Sequence, residues 1–120
     1  MTAVRDLASL QPGFRDDAQS WVAQLARYGI QVKVTRARSS RTTQARLWRE
    51  YQAALAAGIP HLPAAPPGHS QHEKGLAFDM IVTGGPVSLE QLGRAWAAAG
   101  QGRRWGGAFH DPVHFDWGLR

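Results

Sequence analysis

The segment Leu76–Ala77–Phe78–Asp79–Met80–Ile81–Val82 decides the fold, because it can be satisfied only as a strand with something packed on both sides. Side chains alternate across a strand, so Leu76, Phe78, Met80 and Val82 share one face while Ala77, Asp79 and Ile81 take the other. The first face demands an apolar layer against it. The second carries a carboxylate among apolar neighbours, which is expensive to desolvate unless a cation or well-placed donors pair with it. An arginine is one such partner, and a metal ion is the other.

Working outward, Gly84–Gly85 makes a turn after this strand, and Ser88 caps a helix that runs to about Ala99. Gly100 to Arg104 then links to a last short strand, Val113 to Trp117. Upstream, residues from about Asp16 to Tyr28 read as a helix: Trp21, Val22 and Leu25 recur at helical spacing and Gly29 supplies the stop. Ile30 to Thr35 alternates apolar and polar residues as a half-buried strand. Ser39 or Ser40 caps a further helix to about Ala57, with Leu47, Trp48, Tyr51 and Leu55 on its inner side and Gly58 at its end. Between that helix and the opening strand lie Pro60, Pro63, Pro66 and Pro67, whose missing donors predict an ordered loop or a flap. The order α, β, α, loop, β, α, β implies one α+β domain over residues 1–120, a small antiparallel sheet with helices packed on one side. Residues 1–11 read as a loose N-terminal segment.

The chain has 120 residues, enough for one core, and no cysteine. Thiol nucleophiles, cysteine zinc sites and disulfides are therefore excluded, and any metal must be held by histidine and carboxylate. The formal net charge is +5, most of it arginine, which suits an anionic partner such as nucleic acid, an anionic membrane or an acidic cell-wall polymer. No zinc-finger or RNA-binding pattern accompanies those arginines, so a nucleic-acid partner is not expected. No apolar run is long enough to span a bilayer, and the N-terminus has no secretory pattern. These features predict a monomer made in the cytoplasm without a signal peptide.

His72 lies in Ser70–Gln71–His72–Glu73–Lys74–Gly75, just before the strand. Gly75 lets the chain turn, so that a loop histidine can fold back beside Asp79. A second cluster stands near the C-terminus, Trp105–Gly106–Gly107–Ala108–Phe109–His110–Asp111–Pro112–Val113–His114–Phe115–Asp116–Trp117. Val113, Phe115 and Trp117 point to the core there, and His114 and Asp116 take the other face. Pro112 biases Asp111 toward extended backbone, near His114. A histidine and a carboxylate three residues apart beside an apolar wall suit a hydrolytic zinc site, one binding metal and the other handling protons.

Ser70-x-His72-x-x-Gly75-x-Ala77-x-Asp79, followed by Trp105–Gly106–Gly107 and Asp111-x-x-His114–Phe115, resembles the M15 peptidases. These include D-alanyl-D-alanine carboxypeptidases and the L-alanyl-D-glutamate endopeptidases of phage endolysins. The resemblance covers about Gly29 to Trp117. It implies the small α+β fold of that family, zinc on His72, Asp79 and His114, Asp111 as general base, and a peptidoglycan peptide as substrate. Ser70, Arg36 and Gln44 follow as substrate contacts. The family's Arg-Ser-x-x-x-Gln element is altered here: Ser39 stands five residues before Gln44, where the arginine belongs. Arg38 is the nearest replacement for that catalytic arginine and Arg36 the next. Two imidazoles and a carboxylate leave zinc an open position for water, whose pKa falls to about 7. Asp111 would take its proton, and Asp116 could orient His114. His110 reads as exposed, His61 and His69 as rim residues beside the proline loop, and Glu73 as solvent-facing. The expectation is a phage-type lysin that reaches the wall after holin-dependent release or on a virion. The alternatives are a non-catalytic wall-binding or virion structural domain of the same fold, and a structural zinc site completed by His110.

Overall fold

The computed structural model describes residues 2–100 and 102–118. The elements run α1 (Thr2–Asp6), α2 (Pro12–Arg27), β1 (Gln31–Arg36), α3 (Arg41–Ala57), β2 (Ala77–Gly84), α4 (Leu89–Ala99), β3 (Arg103–Trp105), a 3-10 turn (Gly106–Phe109) and β4 (His114–Trp117). Four strands form one antiparallel sheet in the order β1-β2-β4-β3. The fold is therefore the small α+β one expected. β3 was not foreseen; three residues joined to a glycine-rich turn carry too little pattern to read as a strand.

Local chemistry sets the helix limits. Ser40 caps α3 by accepting from the Thr43 amide, and Gly58 ends it in the left-handed region at φ 68°. Ser88 and Gln91 close a reciprocal capping box on α4. α2 begins at Pro12 rather than Asp16, because Pro12 presets the first turn and the Gln11 side chain accepts from Phe14 N.

The core lies between one face of the sheet and helices α1, α2 and α4. Phe14, Trp21, Phe78, Trp96 and Phe115 form its centre, with Phe78 stacked on Phe115 at 5.4 Å across β2 and β4. Burying side chains of this size gives roughly 1.5–3 kcal/mol each. The indole of Trp96 donates to the carbonyls of Arg104 and Asp116 (3.0 and 3.3 Å), so its polar atom is satisfied inside the core.

Two expectations are corrected. The N-terminal segment is not loose: Thr2–Asp6 is helical, and Ala3, Leu7 and Leu10 are buried in the core, Leu7 completely. Its apolar residues are too few for a periodicity signal, yet they close the sheet beside β1. Nor does α3 present Leu47, Trp48, Tyr51 and Leu55 to the core. It adds nothing to the main apolar cluster, it buries only Gln44 and Ala54, and Leu55 is 62% exposed. This helix serves the other face of the sheet, where Gln44 meets Arg36.

Candidate active site

All four strands and the segments before β2 and β4 deliver the polar groups to that second face. Register places Asp79 of β2 directly opposite His114 of β4, and Ala77 opposite Asp116. His72 arrives from the preceding turn, which Gly75 makes possible at φ 74°; a Cβ there would lie 2.8 Å from the Gln11 amide. The carbonyl of Gly75 accepts from that amide at 2.9 Å, so the N-terminal segment braces the turn that carries His72.

His72 Nε2 lies 3.0 Å from Asp79 Oδ1, and His114 Nδ1 lies 3.4 Å from the same oxygen. One ligand atom from each of the three buried residues falls within 4.8 Å of the others. Their remaining nitrogens are committed. His72 Nδ1 is 2.7 Å from the Ala37 carbonyl, and a carbonyl can only accept, so Nδ1 carries the proton. His114 Nε2 donates to Asp116 Oδ2 at 2.6 Å, and Arg104 holds both Asp116 oxygens at 2.9 and 3.0 Å. In neutral imidazoles, His72 Nε2 and His114 Nδ1 then turn lone pairs toward the Asp79 carboxylate. Lone pairs facing a carboxylate repel unless a cation or a proton lies among them. The donor set therefore fits a small divalent ion with arms of about 2.0–2.2 Å, two nitrogens and one oxygen, with outer partners that fix both rings.

The electrostatics agree. Burial alone would raise the Asp79 pKa, but hydrogen bonds from His114 and His72 hold it well below the carboxylate range. Burial would lower that of His114, and hydrogen bonds to Asp116 and Asp79 instead push it up to about 9. Asp116 is likewise held low, its own burial overcome by His114 and Arg104. Asp111 behaves oppositely: burial, then the charge of Asp79, raises it. Its Oδ2 is 3.9 Å from His114 Nδ1, beside the donor set. A base lifted above its ordinary value holds a proton more readily once it has taken one.

Gly106 makes the approach possible. The Asp111 amide donates to the Gly106 carbonyl at 2.8 Å, and a Cβ on Gly106 would meet the Asp111 carbonyl at 2.1 Å and His114 Cβ at 2.8 Å. Trp105 Nε1 ties the same loop down by donating to the Pro112 carbonyl at 2.7 Å.

The arginine assignment is corrected. Arg38 turns away from the site; its guanidinium donates to the Ser9 carbonyl at 3.4 Å and lies against Gly75. Arg36 takes the position instead, with Nη1 3.9 Å from Asp79 Oδ2. Burial lowers its pKa, opposed by the charges of Asp79 and Asp111. The cause is a register shift: Val34 pairs with Met80, but Arg36, not Thr35, pairs with Asp79. One extra residue in β1 moves Arg36 from the core face to the site face. Gln44 and Ser70 are almost wholly buried and stand in the wall of the larger cleft; Ser70 Oγ accepts from His72 N at 3.1 Å and shapes the turn. His110 is exposed, Glu73 accepts from Gly68 N at 2.8 Å, and His69 and His61 line two clefts beside the centre. These clefts, of about 300 and 220 Å³, lie on either side of Pro63–Ala64 and share Arg36 and Asp111. Sequence reading missed Arg104, whose link to Asp116 spans β3 and β4, and the Ala37 carbonyl, a backbone group with no residue signal.

The fold and this donor set define a metallopeptidase of the M15 type. A model of the VanY D-alanyl-D-alanine carboxypeptidases matches residues 7–110, and the chain belongs to that family. Asp111 and His114 lie just beyond the matched segment and are placed by the geometry. Among solved structures, the chain is similar to the vancomycin resistance D,D-pentapeptidase VanY of a VanB-type cassette in complex with Zn(II), at 17% identity and TM-score 0.68, over 90% of this chain and 72% of that one. It is similar also to DacB from Streptococcus pneumoniae D39 (22%, TM-score 0.64, 92% and 67%). A third is the L-Ala D-Glu endopeptidase ChiX of Serratia marcescens (20%, TM-score 0.58, 97% and 86%). At such identities the likeness is one of fold. No curated protein matches the sequence.

Proposed function

We propose that the protein is a zinc peptidase that hydrolyses a peptide bond in peptidoglycan stem peptides. The observation that carries this is the convergence of two imidazole lone pairs and Asp79 on one point, with Asp111 3.9 Å from His114 and Arg36 3.9 Å from Asp79. His72 through Nε2, His114 through Nδ1 and Asp79 would hold the ion. Zinc bound there supplies a Lewis acid and makes water acidic enough to attack at neutral pH. Asp111 accepts the proton of the attacking water and passes it to the leaving amine. Arg36, half-buried and charged, faces the carbonyl oxygen as negative charge develops on it. Ala37 and Asp116 keep the two imidazoles in their tautomers throughout.

The family and the similar proteins support peptidoglycan as substrate. Those proteins include a D,D-peptidase and an L-Ala D-Glu endopeptidase, so the bond cleaved is decided by product analysis. A phage-type lysin, acting on the wall after holin-dependent release or from a virion, fits the basic charge of +5.

The test is digestion of purified peptidoglycan and its muropeptides with zinc-loaded protein, followed by mass spectrometry. New amine ends are expected, with activity lost in chelator and restored by zinc. No new amine ends at full zinc loading would sink the peptidase reading.

A further inference from the structure

The family element that ends in Gln44 suggests a substrate contact, yet Gln44 is only 1% exposed and both ends of its amide are occupied. Its Oε1 accepts from Arg36 Nη2, and its Nε2 donates to the carbonyl of Ala65 at 2.9 Å. Ala65 belongs to the proline-rich segment that lies between the two clefts and over the centre. Proline leaves that segment few donors for holding itself in place. A backbone bond from Ile59 N to the Ala54 carbonyl (2.9 Å) ties down its start, and two side-chain anchors hold it further along: Gln44 at Ala65, and Glu73 at the Gly68 amide, at 2.8 Å. Arg36 in turn is aimed by three contacts, Ser39 Oγ at 2.9 Å, Gln44, and Asp79 at 3.9 Å. One rigid amide thus joins the flap to the cation beside the metal ligands. If the amide turns, it loses both partners at once, because its oxygen cannot donate to a carbonyl and its nitrogen cannot accept from a guanidinium.

We propose that Gln44 is a positioning residue that locks the proline flap and the Arg36 guanidinium into one unit, so that the flap's setting over the cleft fixes the aim of the cation. The role of Arg36 in turnover rests on the peptidase reading; the lock itself does not. Two bonds through a shared group give reciprocal coupling, so disturbing either end is felt at the other.

The zinc-loaded protein and its Gln44→Glu, Gln44→Leu and Arg36→Ala variants would be compared, with far-UV circular dichroism and zinc content as controls. Glutamate still accepts from Arg36 but turns an oxygen toward the Ala65 carbonyl, which releases the flap alone. Leucine removes both bonds. Cleavage within residues 59–68 by a non-specific protease should quicken about tenfold in both Gln44 variants. In Arg36→Ala it should quicken severalfold, since Gln44 loses the partner that orients it. On muropeptides, Gln44→Glu should raise KM and lower kcat severalfold, because the freed flap no longer fixes the aim of Arg36, and Gln44→Leu should lower kcat about tenfold. Added to Arg36→Ala, Gln44→Leu should cost no further kcat, because both act through one group. Flap cleavage at the wild-type rate in Gln44→Glu and Arg36→Ala would overturn the lock. So would an equal kcat loss from Gln44→Leu with and without Arg36. Should Gln44→Leu fail to fold, the glutamate and Arg36 variants decide it. A wild-type protein that releases no amines refutes the peptidase reading instead, and flap cleavage still reads the lock.

Discussion

Asp111 and His114 stand one helical turn's worth of sequence apart, yet they have opposite electrostatics: burial raises the first, and partners hold the second protonated to about pH 9 without metal. Removing each should therefore fail differently. Asp111→Asn should keep zinc and lose turnover by about 10²–10⁴-fold, as expected for a lost general base. His114→Ala should lose both zinc and turnover. Metal analysis of the two variants checks this, and zinc retained in His114→Ala but absent from Asp111→Asn would reverse the roles. Because Asp111 must be ionised to accept a proton, kcat/KM should fall as pH drops through its pKa. Arg36 and Arg38 make a second contrast. Arg36→Ala should cost about 10²-fold in kcat, the scale of one lost oxyanion donor, while Arg38→Ala should stay within about twofold. Steady-state kinetics of the pair decides which arginine faces the reaction.

At the scale of elements, the site depends on loops that pack without side chains. Gly106→Ala drives a methyl into the Asp111 carbonyl at 2.1 Å, so the turn carrying Asp111 must move. Zinc content should survive better than activity, since two of the three ligands lie elsewhere; a fully active Gly106→Ala protein would show that the loop yields freely. The N-terminal helix and α3 give a matched stability test. Leu7, completely buried, should cost about 2–5 kcal/mol when replaced by alanine. Leu55, 62% exposed, should cost at most about 0.5 kcal/mol. Urea unfolding of both variants measures it, and equal losses would place α3 in the core after all.

At the scale of the whole molecule, the buried charges link stability to pH and to metal. His114 has its folded pKa raised to about 9, so its stabilising contribution is complete below its ordinary value near 6.5 and disappears as pH rises through 9. Asp79 and Asp116 are held low, so their contribution is present above the ordinary carboxylate value and lost as pH falls below it. Chelated protein should thus be most stable between those limits and melt earlier as pH climbs from 7 to 10. Zinc held by His114 would take the place of its proton, so the loaded protein should lose that alkaline decline and melt higher throughout. Thermal unfolding of both forms across pH tests this. An unchanged alkaline decline with zinc bound would remove His114 from the ligand set.

Much of this molecule was legible in one dimension. Period-two alternation in residues 76–82 put Asp79 on the face away from the core, and the serine caps and Gly58 marked α3 and α4 because those signals act over a few bonds. The candidate ligands were legible for the same reason: histidine and carboxylate beside glycine turns are local patterns. What only the tertiary structure decided depends on register and on distant packing. The extra residue in β1 that swings Arg36 to the site, the cross-strand hold of Arg104 on Asp116, the Ala37 carbonyl behind His72 and the burial of Leu7 all join segments far apart in the chain. No local propensity encodes a one-residue slip between strands, and that slip decided which arginine stands beside the candidate metal ligands.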